Sequence, residues 1–414
     1  MNRRKTAVSI AATTALGVSA CGGGPTALGD DQAISNGKLT LAVVTDMSGT
    51  YSALTGKGSL EAVKMAVDDY QEKYGSDAVA QEIEVLSADH QNEPDIANTK
   101  ARELFDRQGA DAIFDVPSSA AALAVADLAE EFQRIYINVA AGSTDLTGSA
   151  CNEYTYHWAY DTEMLARGSA ATLTQRGEKN WYIVYPDYQF GQDMTAAFTT
   201  HIEANGGKVL GTDATPFPND NFAASMTKAL EIKPDVIATM AAGSDLTNFV
   251  KQYNEFGLAE AGIELAVGAM FDTDVESIGA TQMSGTLYTT DWFWNQDDEA
   301  REWADDFKAR LDVRPTAVHA GDYSAATQYL EAVQRAGTDD ADAVAEELDG
   351  HEFEDMFARN ARVRSEDHRM IHDSYLTVVK EAKDVQEAFD YTELVETIPA
   401  DEAFGPPSSS CDLG

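Results

Sequence analysis

Short apolar runs that stop at polar, glycine-bearing loops recur along this chain, and each is followed by apolar residues at helical spacing. The first unit sets the pattern. Residues 39–44 predict a buried strand that ends in Asp46-Met47-Ser48-Gly49. Leu60, Val63, Val67 and Tyr70 then share one face of a helix. Residues 83–88, 112–116 and 135–139 predict three more strands. A helix starts at Pro94 and stops at Gly109, and another from about Ala120 carries Val125, Leu128 and Phe132 on one face. Such alternation predicts a parallel sheet covered on both faces. Ligands of these sheets bind beyond the carboxyl ends of the strands.

Residues 151–161 break the rhythm, being aromatic without helical spacing, and predict a connector. A second lobe then repeats the alternation, with strands at 181–185, 209–212, 236–240 and 265–267. Their following loops carry Asp213, Asp245 and Asp272. Residues 287–294 lead back to the first lobe. Helices are expected at 299–311, 318–336 and 341–348, short strands at 361–363 and 375–379, and then an extended tail. The predicted fold class is α/β, with two doubly wound Rossmann-like lobes.

Charge narrows the partners. The 414 residues carry 70 acidic and 29 basic side chains, a net charge of -41. Such a chain repels phosphate backbones, which excludes a nucleic-acid partner, and it repels anionic lipid headgroups. Membrane association therefore needs an anchor, and the N-terminus supplies a candidate. Arg3, Arg4 and Lys5 precede an apolar run at 7–18, too short to span a bilayer, and Val18-Ser19-Ala20-Cys21 follows. The pattern resembles a bacterial lipobox, with residues 1–20 as signal peptide, Cys21 as the lipidated residue and 21–37 as a tether. Plain secretion with cleavage after Ala20 is the alternative. Export favours a disulfide between the two remaining cysteines, Cys151 and Cys411.

Catalytic constellations are missing. There is no G-x-S-x-G, H-E-x-x-H or C-x-x-C, and Lys57 lacks the following Ser/Thr of a phosphate loop. No metal or cofactor is expected, and the chain reads as a binder rather than an enzyme. Ser48, Ser118, Ser119 and Ser143 lie at strand ends of the first lobe, where hydroxyls and free helix amides suit a small carboxylate. Each serine taken singly reads as a helix N-cap. Tyr51, Tyr160, Tyr188, Phe271 and Trp292 are candidate apolar walls. Asp245 and Asp272 could face them to hold an ammonium or hydroxyl, or could cap helices. His90 is the one histidine clearly at a strand end, and a hydrogen-bonded loop histidine is its simpler reading.

Five segments carry a resemblance: TDMSGTY at 45–51, SADHQN at 87–92, DVPSSAA at 115–121, AAGSTDLTG at 140–148 and DYQFGQD at 187–193. Together they resemble the leucine/isoleucine/valine type of periplasmic binding protein, the solute-binding component of ABC importers. The resemblance implies a first lobe of 38–158 and 290–370 and a second of 159–289 and 371–414. Three hinge crossovers, near 158–161, 287–291 and 371–376, would join them. It implies a lipid-anchored monomer on the extracytoplasmic face that serves a membrane permease. Ser118, Ala140 and Gly142 would take a ligand carboxylate, and Asp272 an ammonium with Asp245 as substitute. The implied ligand is a branched-chain or related amino acid. Gly142 stands where amino-acid-binding members often carry a hydroxyl, and an aromatic acid is the alternative within the family. A ligand sensor and a secreted hydrolase are the other readings.

Overall fold

The computed structural model describes residues 33–413. The predicted signal peptide and Cys21 lie outside the described residues. The first sheet comprises β1 (Leu39–Thr45), β2 (Ile83–Asp89), β3 (Ala112–Asp115), β4 (Ile135–Asn138) and β5 (Thr155–His157). All are parallel, in the order β2-β1-β3-β4-β5. Helices α1 (Gly56–Tyr74), α2 (Pro94–Arg107) and α3 (Ser119–Phe132) make the crossovers. Every residue of β1 is buried, as a parallel strand covered on both faces must be. That is why a mostly apolar run marks it in the sequence.

The second sheet follows α4 (Thr162–Arg176). Its strands are β6 (Asn180–Pro186), β7 (Lys208–Thr215), β8 (Val236–Thr239) and β9 (Glu264–Val267), parallel and in the order β7-β6-β8-β9. Between and after them run α5 (Gln189–Ala204), α6 (Ala223–Ile232), α7 (Gly243–Glu255), α8 (Asp272–Ile278) and α9 (Ala280–Met283). Strand β10 (Leu287–Thr290) then leads out. Helices α10 (Asp298–Leu311), α11 (Ala317–Ala336) and α12 (Ala341–Leu348) return to the first sheet, where α11 packs along α1. Strands β11 (Glu352–Phe353), β12 (Ala361–Val363) and β13 (Met370–Ile371) form a small antiparallel sheet. A second small sheet pairs β10 with β14 (Ser374–Val379) and β15 (Thr392–Ile398), and α13 (Ala400–Phe404) follows.

Four local expectations change. The connector at 151–161 contains β5, a fifth strand of the first sheet, whose Thr-Tyr-His sequence gives no apolar run. Strand β7 extends to Thr215, so Asp213 lies inside it rather than in a loop. The tail is not extended throughout, because it holds β15 and α13. The end of the expected tether is fixed: Ile34 is buried and the Ser35 hydroxyl donates to Asp339 at 2.8 Å. The Cys151–Cys411 disulfide is present and ties the tail back across 260 residues.

Arg369, fully buried just before β13, ties the chain leaving β5 to this region. Its guanidinium donates to the carbonyls of His157 and Ala159 and pairs with Asp161 at 3.1 Å.

Candidate functional site

The loop after β1 is shaped by one carboxylate. Asp46 accepts from the amides of Ser48, Gly49 and Tyr51 and from the Asn92 side chain. A Cβ at Gly49 would sit 2.7 Å from an Asp46 oxygen, so a side chain there would push Asp46 away from the amides it holds. His90 Nδ1 accepts from the Asn92 amide at 2.9 Å and so steadies the residue that bonds Asp46. Burial holds its pKa down at about 4, so the ring is neutral. The result is a braced loop that turns Ser48 to solvent and Tyr51 inward.

Tyr51 meets the second sheet's loops. Its hydroxyl lies 2.5 Å from that of Tyr188, at the N-terminus of α5. Phe217, in the loop after β7, stacks on Tyr188 at 4.4 Å and on Tyr51 at 5.7 Å between ring centroids. Behind this cluster Tyr160 donates to the Ala140 carbonyl and packs against Phe271 at 5.5 Å. Leu54, Pro117, Phe190, Ala242 and Ala269 complete the cavity. The rings close on one another, leaving about 10 Å³ open to the centre of a water-sized sphere, roughly what one water needs. Burial raises the pKa of Tyr51, Tyr160 and Tyr188 well above the usual phenol, so all three keep their protons.

Of the residues expected at the site, the structure brings Tyr51, Ala140, Tyr160, Tyr188 and Phe271 together around this cavity. Gly142 lies beside it: a Cβ there would stand 3.1 Å from a Phe190 ring carbon and 3.4 Å from one of Tyr160. Ser118 and Ser119 follow Pro117 at the start of α3, both fully buried. Among the described residues neither hydroxyl finds a hydrogen-bond partner, and Ser118 does not cap its helix through its side chain. Ser143 does cap, accepting from the Asp145 amide, and its hydroxyl donates to Asp193 of α5. Gln189 adds to this latch between the lobes, donating to Asp145 at 3.0 Å and to Asp193 at 2.9 Å.

The other expected residues do not line this cavity. Ser48 is exposed, and His90 supports the loop from behind. Asp272 turns away from the cavity to accept from Thr392 of β15 at 3.0 Å. Asp245 accepts from the Asn219 amide at 2.8 Å and so braces the Phe217 loop. Burial raises the pKa of Asp245 to about 6 and that of Asp272 to about 7. Trp292 donates to the Met356 carbonyl and stands edge-on to Trp303. Phe217, Leu54, Ala242 and Ala269 escaped the sequence reading. Only Phe217 left a signal, as a lone aromatic between two prolines directly after a strand.

Residues 38–384 match the protein family described as periplasmic binding protein. A periplasmic binding protein from Burkholderia mallei is 38% identical, over 91% of this chain and 99% of that one, with a TM-score of 0.87. A branched chain amino acid ABC transporter periplasmic ligand-binding protein from Burkholderia xenovorans LB400 is 34% identical, over 90% and 99%, with a TM-score of 0.79. A solute binding protein of an ABC transporter from Rhodopseudomonas palustris BisB5, in complex with 3,4-dihydroxy benzoic acid, shares the fold. It is 21% identical over 88% and 98%, with a TM-score of 0.78. Comparison with curated proteins finds no match.

Proposed function

The chain belongs to the periplasmic binding protein family, as a solute-binding component of an ABC transporter, and we propose that its ligand is a small aromatic carboxylate held between the lobes. One observation carries this reading. The cavity walls are aromatic rings, and the acids expected to hold an ammonium are already engaged by Asn219 and Thr392. An amino acid's ammonium would find the nearest expected acid, Asp245, held to the Asn219 amide and easily neutralised because burial raises its pKa to about 6, so part of the cost of leaving water would go unmet. An aromatic ring would instead part Tyr51 from Tyr188 and stack between their neighbours. Its carboxylate would go to the start of α3, where the unpartnered hydroxyls of Ser118 and Ser119 and the helix dipole favour an anion.

The name of the Burkholderia xenovorans relative favours a branched-chain amino acid, so leucine is the competing ligand. Calorimetry with benzoate, 4-hydroxybenzoate and leucine separates the two. We expect the aromatic acids to bind and leucine to fail. Tighter binding of leucine than of either acid would overturn the reading.

Capture would close the lobe of 38–158 and 290–370 onto that of 159–289 and 371–414, and the loaded monomer would deliver its ligand to a permease. The chain acts outside the cytoplasm. We further infer that a diacylglyceryl group on Cys21 holds it at the membrane, two acyl chains being enough for stable anchoring. Cys21→Ala should release it, and a variant that still sediments with membranes would refute the anchor.

A further inference from the structure

The ring-walled cavity does not end at its rings. Leu54 and Phe271 form part of its wall and also part of the wall of a second chamber of about 170 Å³. The two spaces are thus neighbours through one apolar neck. The second chamber differs in chemistry. Thr50 and Ser52 from the loop after β1 line it, facing Ser244 and Thr247 of α7 and Thr273 and Ser277 of α8, with the carboxyl of Asp274 beside them. A hydroxyl both donates and accepts, so this lining suits a polar group of either sense. The chamber is also not a dead end: Ser52, Ala53, Thr273 and Ser277 border an outer groove of about 610 Å³ as well.

The chamber's walls come from both lobes, held in contact at one point. Gly243 sits at φ +60, and a Cβ there would stand 2.3 Å from the Thr50 carbonyl oxygen, so only glycine permits this approach. The Ser244 amide points to the same carbonyl at 3.4 Å. Closing the lobes therefore forms the chamber together with the cavity. The start of α3, with Ser118 and Ser119, follows Pro117, whereas the neck lies at Leu54 and Phe271. Pro117, directly before Ser118, lines the same cavity as the neck residues Leu54 and Phe271, so a ring whose carboxylate sits at α3 lies in the space that meets the neck.

We propose that the hydroxyl-lined chamber is a subsite for a hydrogen-bonding substituent para to the carboxylate of the ligand. The protein would then select para-substituted aryl carboxylates whose substituent outreaches a single hydroxyl. This rests on the aromatic-carboxylate reading above. Calorimetry with benzoate and 4-acetamidobenzoate tests both, on the wild-type protein and on Thr247→Phe, which fills the chamber without touching the ring-walled cavity. We expect wild type to bind 4-acetamidobenzoate at least as tightly as benzoate. Thr247→Phe should weaken 4-acetamidobenzoate by more than about tenfold, and benzoate by less than about threefold, because only the longer ligand meets the new ring. Retained benzoate binding also shows that the variant is folded. Should Thr247→Phe fail to fold, Ser277→Trp, from an exposed position at the chamber's outer edge, makes the same comparison. Benzoate binding with no binding of 4-acetamidobenzoate, or equal losses for both in the variants, would overturn the subsite alone. Failure of both acids to bind wild type would overturn the aromatic-carboxylate reading and the subsite with it.

Discussion

Gly142→Ala isolates the contact between the lobes from the stability of either one. The glycine's φ lies outside the left-handed region, so an alanine meets no backbone strain there and its cost is steric alone. Its Cβ would stand 3.1 Å from a Phe190 ring carbon and 3.4 Å from a Tyr160 ring carbon, so Phe190 must give by a few tenths of an ångström. Phe190 is buried and belongs to α5, whereas Gly142 follows β4 of the other lobe. The clash therefore arises when the lobes close. Overpacking of this kind costs about 1–3 kcal/mol, which is roughly five- to 150-fold in Kd. Calorimetry with benzoate should show that loss, while the melting temperature of the protein alone changes little. Phe190→Leu in the Gly142→Ala background should recover part of the affinity, as a coupling between touching residues requires. Unchanged affinity in Gly142→Ala, or a loss that Phe190→Leu does not ease, would refute the reasoning.

Tyr51→Phe removes the hydroxyl pair with Tyr188 that an entering ring has to break, and should strengthen benzoate binding by up to about 0.5–1.5 kcal/mol in calorimetry. Replacing Cys151 and Cys411 by serine opens a link across 260 residues. It should lower the unfolding free energy in urea by up to about 5 kcal/mol and leave ligand affinity unchanged. Asp272 has its pKa raised by burial from 3.8 to about 7, so the native state binds more protons than the unfolded state between these values. Stability from this group is thus full below pH 3.8 and is lost as pH rises toward 7. Asp272→Asn should remove that decline, worth on the order of 4 kcal/mol at most above pH 7, as read from denaturant melts at pH 5 and pH 8. Benzoate should bind more tightly at pH 6 than at pH 8 with uptake of a fraction of a proton, visible in calorimetry across buffers of different ionisation enthalpy.

Much of the fold was legible because buried parallel strands are mostly apolar runs. Strand β1 and the strands 236–239 and 135–138 are buried throughout and stand out for that reason. Strand β5 did not, since three residues give no period and its place beside β4 is set by pairing of Tyr136 with Thr155. At the candidate site, the position of an aromatic at a strand end was readable, and Tyr51, Tyr160 and Tyr188 line one cavity. Side-chain direction was not. Asp272 begins a helix at a strand end as a ligand-binding acid could, yet its partner Thr392 is 120 residues away. Likewise His90 and Ser48 sit beside the site in sequence, and only the network around Asp46 shows that they shape its loop. Phe217 depends on how far β7 runs before its loop turns back over Tyr188.

If a chain of net charge -41 is to take up an anion, as proposed, it has to solve a local problem, and the way it would do so explains the predicted pH response. Long-range repulsion from surface carboxylates is screened within about 10 Å at ordinary salt, so only nearby groups decide the matter. Four buried acids lie around the site. Asp245 lies near the Tyr51–Tyr188 pair, Asp291 and Asp115 near Tyr160, and Asp274 accepts from the Phe271 amide at 2.9 Å and lines the second chamber. Burial raises the pKa values of Asp245 and Asp291 to about 6 and those of Asp115 and Asp274 to about 7. All four therefore tend toward the neutral form in mildly acidic solution, where a ligand carboxylate meets hydroxyls and helix amides and little opposing charge. As pH rises they ionise, and a bound anion resists that ionisation by raising their pKa values further. The linkage is reciprocal: protons favour the anion and the anion favours protons. An amino acid's ammonium would do the opposite, lowering the same pKa values and releasing protons on binding. The sign of the proton change thus reports the ligand's charge at the acids' end of the cavity, independently of which ligand binds more tightly.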